Sequence, residues 1–180
     1  MKYTQKELDY MRTLAEQAVD MFVKYGEVLK EDSVPEALYR KRACFVTIYK
    51  SGELRGCIGT IEPSDSLYKN IIQNAISAAT RDFRFYPVTE EELPFLKYEV
   101  TVLSQPKEIS YKDKESLFSQ IEQKGVIIKK GFYTAVYLPQ VWEHFKSKDD
   151  FISSLCQKAG MDRNEWKKFD LKVKVFESVK

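Results

Sequence analysis

Apolar residues recur at helical spacing just after Thr4: Leu8, Met11, Ala15, Ala18 and Phe22 fall on one stripe that ends at Gly26. Thr4-Gln5-Lys6-Glu7 has the capping-box pattern, so a helix is predicted from there to Gly26, where a left-handed glycine closes it. Tyr25 to Arg40 loses the period and predicts a loop with one helical turn near Glu36 to Tyr39. The period then drops to two. Ala43 to Lys50 alternates Cys44, Val46 and Ile48 against Phe45, Thr47 and Tyr49, Ser51-Gly52 supplies a tight turn, and Leu54 to Gly59 forms the returning strand of a hairpin. Pro63-Ser64-Asp65-Ser66 reads as turn and cap, followed by a helix bearing Leu67, Ile71, Asn74, Ala75 and Ala78, which fails near Arg81 to Phe85 as Pro87 approaches.

A second capping box, Thr89-Glu90-Glu91-Glu92, predicts a short turn before Pro94, and Lys97 to Ser104 alternates as a strand. Asp113 is placed to cap a short helix through Phe118 and Ile121. Gly125 to Lys129 and Phe132 to Leu138 predict another hairpin, and Pro139 opens a helical turn. Asp149-Asp150 begin a helix closed by Gly160. Leu171, Val173 and Val175 form a last strand whose flanking lysines suggest a sheet edge. Hairpins alternating with helices predict an α+β fold.

The candidate chemistry concentrates in Leu54-Arg55-Gly56-Cys57-Ile58-Gly59. Regular alternation puts Arg55, Cys57 and Gly59 on one face of the strand, opposite Leu54, Gly56 and Ile58. A guanidinium beside a thiol favours the thiolate, and Gly56 and Gly59 admit a ligand or a second backbone at short range. The bland alternative is a packed cysteine and a surface arginine. Downstream, Arg81, Asp82 and Arg84 interleave with Phe83, Phe85 and Tyr86, either as an anion-binding corner in which Asp82 orients an arginine or as a helix-end ion pair. Glu99 stands on the strand face opposite Val100, where it either pairs with Arg55, serves as a base or is solvated.

These stretches resemble the AMMECR-one domain family, whose prokaryotic members are the A component of the AmmeMemoRadiSam system. Leu-Arg-Gly-Cys-Ile-Gly is similar to the family's signature, and residues 78–87, running from the Ala-rich helix into Asp82-Phe83-Arg84-Phe85-Tyr86-Pro87, resemble its next motif. Glu99 to Ser104, Leu138-Pro139-Gln140-Val141-Trp142 and Leu155 to Gly160 are similar to further segments in the family's order. The resemblance implies one two-lobed domain across 1–180 with a central cleft holding Arg55 and Cys57, with Asp82 and Arg84 nearby. It also implies a place beside Memo-type and radical-SAM proteins, but it carries no settled biochemical activity. Many family members have a His or acidic residue where Lys124 stands, so that position receives no role.

Composition narrows the functions further. A chain of 180 residues buries a real core, and 29 basic against 27 acidic residues leave a net charge of +2, too little to gather nucleic acid. No apolar run reaches a membrane span, and the opening residues lack the apolar core of a signal peptide, so a cytoplasmic protein is expected. Cys44, Cys57 and Cys156 have no metal-like spacing, and a reducing compartment together with hairpin geometry disfavours a Cys44–Cys57 disulfide. His144 is the one histidine, without clustered ligands. Phosphate-loop, dinucleotide and zinc-protease motifs are absent, and no metal or cofactor is expected.

Three functions remain. The first is an accessory or binding component with Arg55, Gly56, Gly59, Asp82, Arg84 and Glu99 as ligand-binding candidates, its ligand a small molecule or a protein. The second is a thiol-dependent enzyme with Cys57 as nucleophile or redox thiol. The third is RNA binding through Arg81 to Tyr86, the weakest because two arginines beside an aspartate are meagre support in a near-neutral chain.

Overall fold

In the computed structural model, which describes residues 2–63 and 65–180, Thr4 and Glu7 satisfy each other's free backbone N–H groups and start helix α1 (Gln5–Tyr25). Gly26, at φ 72°, ends it as the sequence predicts. The chain then forms β1 (Cys44–Lys50), β2 (Glu53–Gly59), α2 (Leu67–Thr80), β3 (Leu96–Leu103), β4 (Lys107–Ile109), α3 (Lys114–Ile121), β5 (Gly125–Lys130), β6 (Tyr133–Tyr137), α4 (Lys148–Lys158), β7 (Lys172–Phe176) and β8 (Ser178–Val179). Four 3-10 turns lie at Glu36–Tyr39, Glu90–Phe95, Pro139–His144 and Glu165–Lys168. Ser64, in the predicted turn before α2, lies outside the described residues. Ser66 occupies the N-cap position of α2, but its hydroxyl makes no cap hydrogen bond.

The fold is α+β with two antiparallel four-stranded sheets, ordered β2-β1-β3-β8 and β4-β7-β5-β6. The chain divides into two compact units, one running to Ser104 and including Val179–Lys180, the other Gln105–Ser178. In the first unit α1 and α2 cover one face of the sheet, and Met11, Leu14, Leu38, Val46, Ile48, Leu67, Ile71 and Val102 are sealed between them. The small residues Ala75, Ala78 and Ala79 let α2 approach β1 and β2 closely. Gly56 marks the tightest point, since a Cβ there would stand 2.2 Å from the carbonyl oxygen of Ala78.

The second unit has its own core. Phe151 stacks on Trp142 with ring centroids 3.6 Å apart, and Leu117, Ile121, Ile128, Leu155, Cys156 and Val173 close around them. The lysines flanking Leu171 to Val175 suggest an edge, but β7 lies inside the sheet, paired with β4 through Val173 and Val175 and with β5 through Lys172 to Phe176. Lysine side chains tolerate an inner strand where they point to a solvated face. The partner that makes β7 internal is β4, three residues long and too short to announce itself by alternation.

All three cysteines are free thiols. Cys57 stands opposite Thr47 on β1, whereas Cys44 stands opposite Val102 on β3, so the hairpin register keeps the two sulfurs apart. Among the described residues no helix is long and apolar enough to cross a membrane.

Candidate functional site

The pairing of β1 with β2 contains a β-bulge. Ile48 faces Gly56 and Tyr49 faces Leu54, which leaves Arg55 as an extra residue without an opposite number. Residues directly opposite one another share a face. Leu54, Cys57 and Gly59, opposite Tyr49, Thr47 and Phe45, therefore lie on one face, while Gly56 and Ile58 look into the core. This corrects the regular alternation, which fails at Arg55 itself and had placed Leu54 on the wrong side.

Arg55 turns to Glu92, the last residue of the Thr89 capping box. Its Nε and Nη2 donate to the two carboxylate oxygens at 3.0 and 2.8 Å, and Lys50 Nζ donates to the same carboxylate at 2.9 Å. The Arg55 side chain is only 14% exposed, and its Nη1 is buried without a partner among the described residues. Hydrogen bonds from Arg55, then Lys50 and the Thr89 backbone, outweigh burial and lower the Glu92 carboxyl to about 2. Arg55 is thus clamped and largely neutralised within the protein. The partner weighed for it, Glu99, instead receives Lys180 Nζ at 2.8 Å.

Cys57 has a different neighbour. Its N–H points off the free edge of β2 and donates to Asp82 Oδ2 at 2.9 Å, and its Sγ lies 3.1 Å from Thr47 Oγ1. This is the close side-chain approach expected of a pair that exchanges no backbone hydrogen bonds. Asp82 follows the last turn of α2 and is 4% exposed. It also accepts from Arg84 N at 3.2 Å, Arg84 Nε at 2.9 Å and Arg84 Nη2 at 2.6 Å. Those hydrogen bonds, the Arg84 side chain first and then the Cys57 and Arg84 backbone, hold its carboxyl well below the usual carboxylate range. Arg84 is raised chiefly by Asp82, and because its guanidinium and the Cys57 backbone N–H meet on the same carboxylate oxygen, Arg84 is the cation that stands beside Cys57.

The ring of Phe85 lies beneath both guanidiniums, 5.9 Å from Arg55 and 5.4 Å from Arg84. On either side of Arg84 and Phe85 two aromatic side chains stand out in water: Phe83 is 95% exposed and Tyr86 91%. The room left by the two glycines is already filled. Ala78 backs Gly56, and the Phe45 ring covers Gly59, where an added Cβ would meet it at 2.3 Å. The structure thus brings Arg55, Cys57, Asp82 and Arg84 onto neighbouring segments of the first unit, sets Glu99 on the Cys57 face opposite Thr47 but paired with Lys180 rather than Arg55, and adds two residues the sequence did not single out, Glu92 and Thr47. Among the described residues no group of three or more His, Cys, Asp or Glu side chains is arranged to hold a metal.

Comparison with known proteins gives a consistent picture. The AMMECR1 family model matches residues 12–180. Protein MK0488 of Methanopyrus kandleri is 34% identical over 98% of this chain and 88% of its own length, and protein MJ0810 of Methanocaldococcus jannaschii is 38% identical over 85% and 79%. The crystal structure of an uncharacterized protein, PH0010 from Pyrococcus horikoshii, superposes with a TM-score of 0.89 at 32% identity, covering 99% of this chain and 92% of that one.

Proposed function

The chain belongs to the AMMECR1 family, and we propose that it is a binding component that engages another protein through residues 82–86, rather than a self-sufficient enzyme. One observation carries this reading. Asp82 spends four hydrogen bonds fixing a short irregular segment to the edge of β2, and that segment holds Phe83 and Tyr86 almost wholly in water. Aromatic side chains are costly to leave solvated and are enriched among the residues that anchor protein interfaces. A flexible loop would let them collapse onto the surface; this one is pinned. The proposed surface is built from first-unit residues alone, and Arg84, half-exposed between the two rings, adds a cation at its centre.

The family resemblance supplies the partner class, a Memo-type or radical-SAM protein acting in the same pathway. The test is a biolayer-interferometry titration of purified Memo-type and radical-SAM proteins from the same organism against the wild-type chain and a Phe83→Ala/Tyr86→Ala variant. Saturable binding weakened at least tenfold by the double substitution, with the circular dichroism spectrum unchanged, is the expected result. Equal binding by both proteins removes the aromatic pair from the interface, and no binding to either candidate removes the partner class.

A second reading is favoured by one observation: Cys57 is only partly buried, and its backbone N–H shares the Asp82 carboxylate with Arg84. On that reading Cys57 is the reactive thiol of an enzyme whose activating cation is Arg84, with Arg55 as structural clamp.

A further inference from the structure

In the second unit, Val126, Ile128, Ala135, Val173 and Val175 belong to the core, so the residues that alternate with them along β5, β6 and β7 point to the opposite face of the sheet. Two rows cross the strands there. In one, Lys129 of β5 stands between Thr134 of β6 and Lys172 of β7. In the other, Ile127 stands between Val136 and Lys174, and Lys174 in turn faces Glu108 of β4. Lys129, Thr134, Lys172 and Glu108 are exposed, while Ile127, Val136 and Lys174 are half-buried.

Lys129 and Lys172 are directly opposite one another, which sets their backbones about 4.5–5.5 Å apart. Like charges in that position destabilise a sheet, where opposite charges would stabilise it. Nothing in the second unit relieves the repulsion. Among the described residues Lys129, Lys172 and Lys174 form no ion pair. The carboxylates next to this end of the sheet are already taken, Asp170 by Lys130 and Glu165 by Lys130 and Lys168. Glu108 is the one carboxylate on the face, so the face keeps an excess of positive charge.

From this arrangement we infer that the lysine face of the second sheet docks an extended acidic segment of a partner protein, with carboxylates at alternate positions. Lys172 and Lys174 lie two strand residues apart, about 6.7 Å, and an extended segment repeats its side chains on one face at the same spacing. Successive carboxylates therefore meet the two ammonium groups in step, and Lys129 sets a third charge beside the first. Ile127 and Val136 add an apolar strip alongside. Single-stranded nucleic acid fits this face less well, because none of these residues is aromatic and bases find no platform to stack on. The face belongs to the second unit and uses none of residues 82–86, so it stands or falls separately from the surface proposed above.

The test is a fluorescence-anisotropy titration of the full chain with three labelled probes: a peptide repeating Glu-Thr-Glu-Val, an isomer of it with the acidic residues grouped as Glu-Glu-Thr-Val, and oligouridylate. Carbodiimide crosslinking of the first peptide, followed by peptide mapping, locates the contact. The alternating peptide is expected to bind saturably, more tightly than the other two probes and more weakly as salt rises, with crosslinks on Lys129, Lys172 and Lys174. Lys129→Glu should have two effects at once. It should weaken binding by roughly tenfold, since it replaces an attraction with a repulsion. By setting a carboxylate opposite Lys172 it should also raise the urea midpoint followed by Trp142 and Trp166, both in the second unit. Lys30→Glu, the same charge change at an exposed position of the first unit, should do neither. Absence of saturable binding, equal affinity for the grouped isomer, tighter binding of oligouridylate, or crosslinks confined to other lysines would overturn the inference. So would equal weakening by Lys30→Glu, or a Lys129→Glu variant with unchanged affinity or no gain in midpoint.

Discussion

Replacing Asp82 by Asn changes one oxygen to an amide nitrogen without altering the volume of the side chain, and its cost can be worked from the contacts. The carboxylate accepts four hydrogen bonds, two from backbone N–H groups and two from the Arg84 guanidinium. The Arg84 side chain is 44% exposed, so solvent screening holds its net contribution to about 0.2–1 kcal/mol. The larger loss arises at Oδ2, where an amide –NH2 would set a donor against the donors of Cys57 N and Arg84 Nη2. Rotating the amide only moves the conflict to Arg84 N and Nε. A buried N–H left unpaired costs about 1–3 kcal/mol, so Asp82→Asn is expected to destabilise the first unit by about 1–4 kcal/mol at pH 7. That is a fall on the order of 10 °C in its melting transition.

The difference also has a pH signature. The carboxyl lies below its ordinary value of 3.8 in the folded protein, so its contribution is complete above that value and drains away as pH falls towards the lower folded value. Urea melts of both proteins at pH 7 and pH 2.5, followed by far-ultraviolet circular dichroism, read the gap directly, whereas Trp142 and Trp166, both in the second unit, do not report it. It should be widest at neutral pH and narrow at acid pH. A gap below about 0.5 kcal/mol at pH 7, the scatter of neutral surface substitutions, or one that stays constant to pH 2.5, would refute the reasoning.

Two other outcomes follow from the same geometry. Cys57 should be the first cysteine alkylated by iodoacetamide in the native protein, since Cys44 and Cys156 are sealed and burial pushes the Cys44 thiol up to about 12; Arg84→Met should slow that reaction more than Arg55→Met, and peptide mapping that shows equal slowing would contradict the assignment of Arg84 as the nearby cation. Gly56→Ala drives a methyl group into the Ala78 carbonyl of α2, an overpacking worth about 1–3 kcal/mol in a denaturant melt, and an unchanged midpoint would show that α2 gives way.

Much of this fold can be read from local pattern. Thr4 and Glu7 announce α1, Gly26 ends it, and the change from helical to twofold period at Ala43 locates the first hairpin. The same reasoning misleads where one residue breaks the period. The bulge at Arg55 adds no unusual residue to the sequence, yet it moves Leu54 to the face of Cys57 and frees Arg55 to reach Glu92. Glu92 was visible as the end of a capping box, but its pairing with Arg55 joins residues 37 apart and depends on where the turn before β3 lands on the sheet. Glu99 has the right chemistry on the right strand, but Lys180, 81 residues further along, takes it. The Asp82–Arg84 contact spans two residues and was legible as a pair. Its anchoring to the Cys57 backbone was not, because a strand N–H carries no sign in the sequence of which way it points.

The claim that residues 82–86 form a docking surface is tested most directly by hydrogen-exchange mass spectrometry of the chain alone and saturated with the proposed Memo-type or radical-SAM partner. Protection on binding should concentrate in 81–88 and spread to 53–59, the strand to which Asp82 is tied. Protection confined to segments outside both stretches, with 81–88 exchanging at the same rate in the free and bound states, would contradict it.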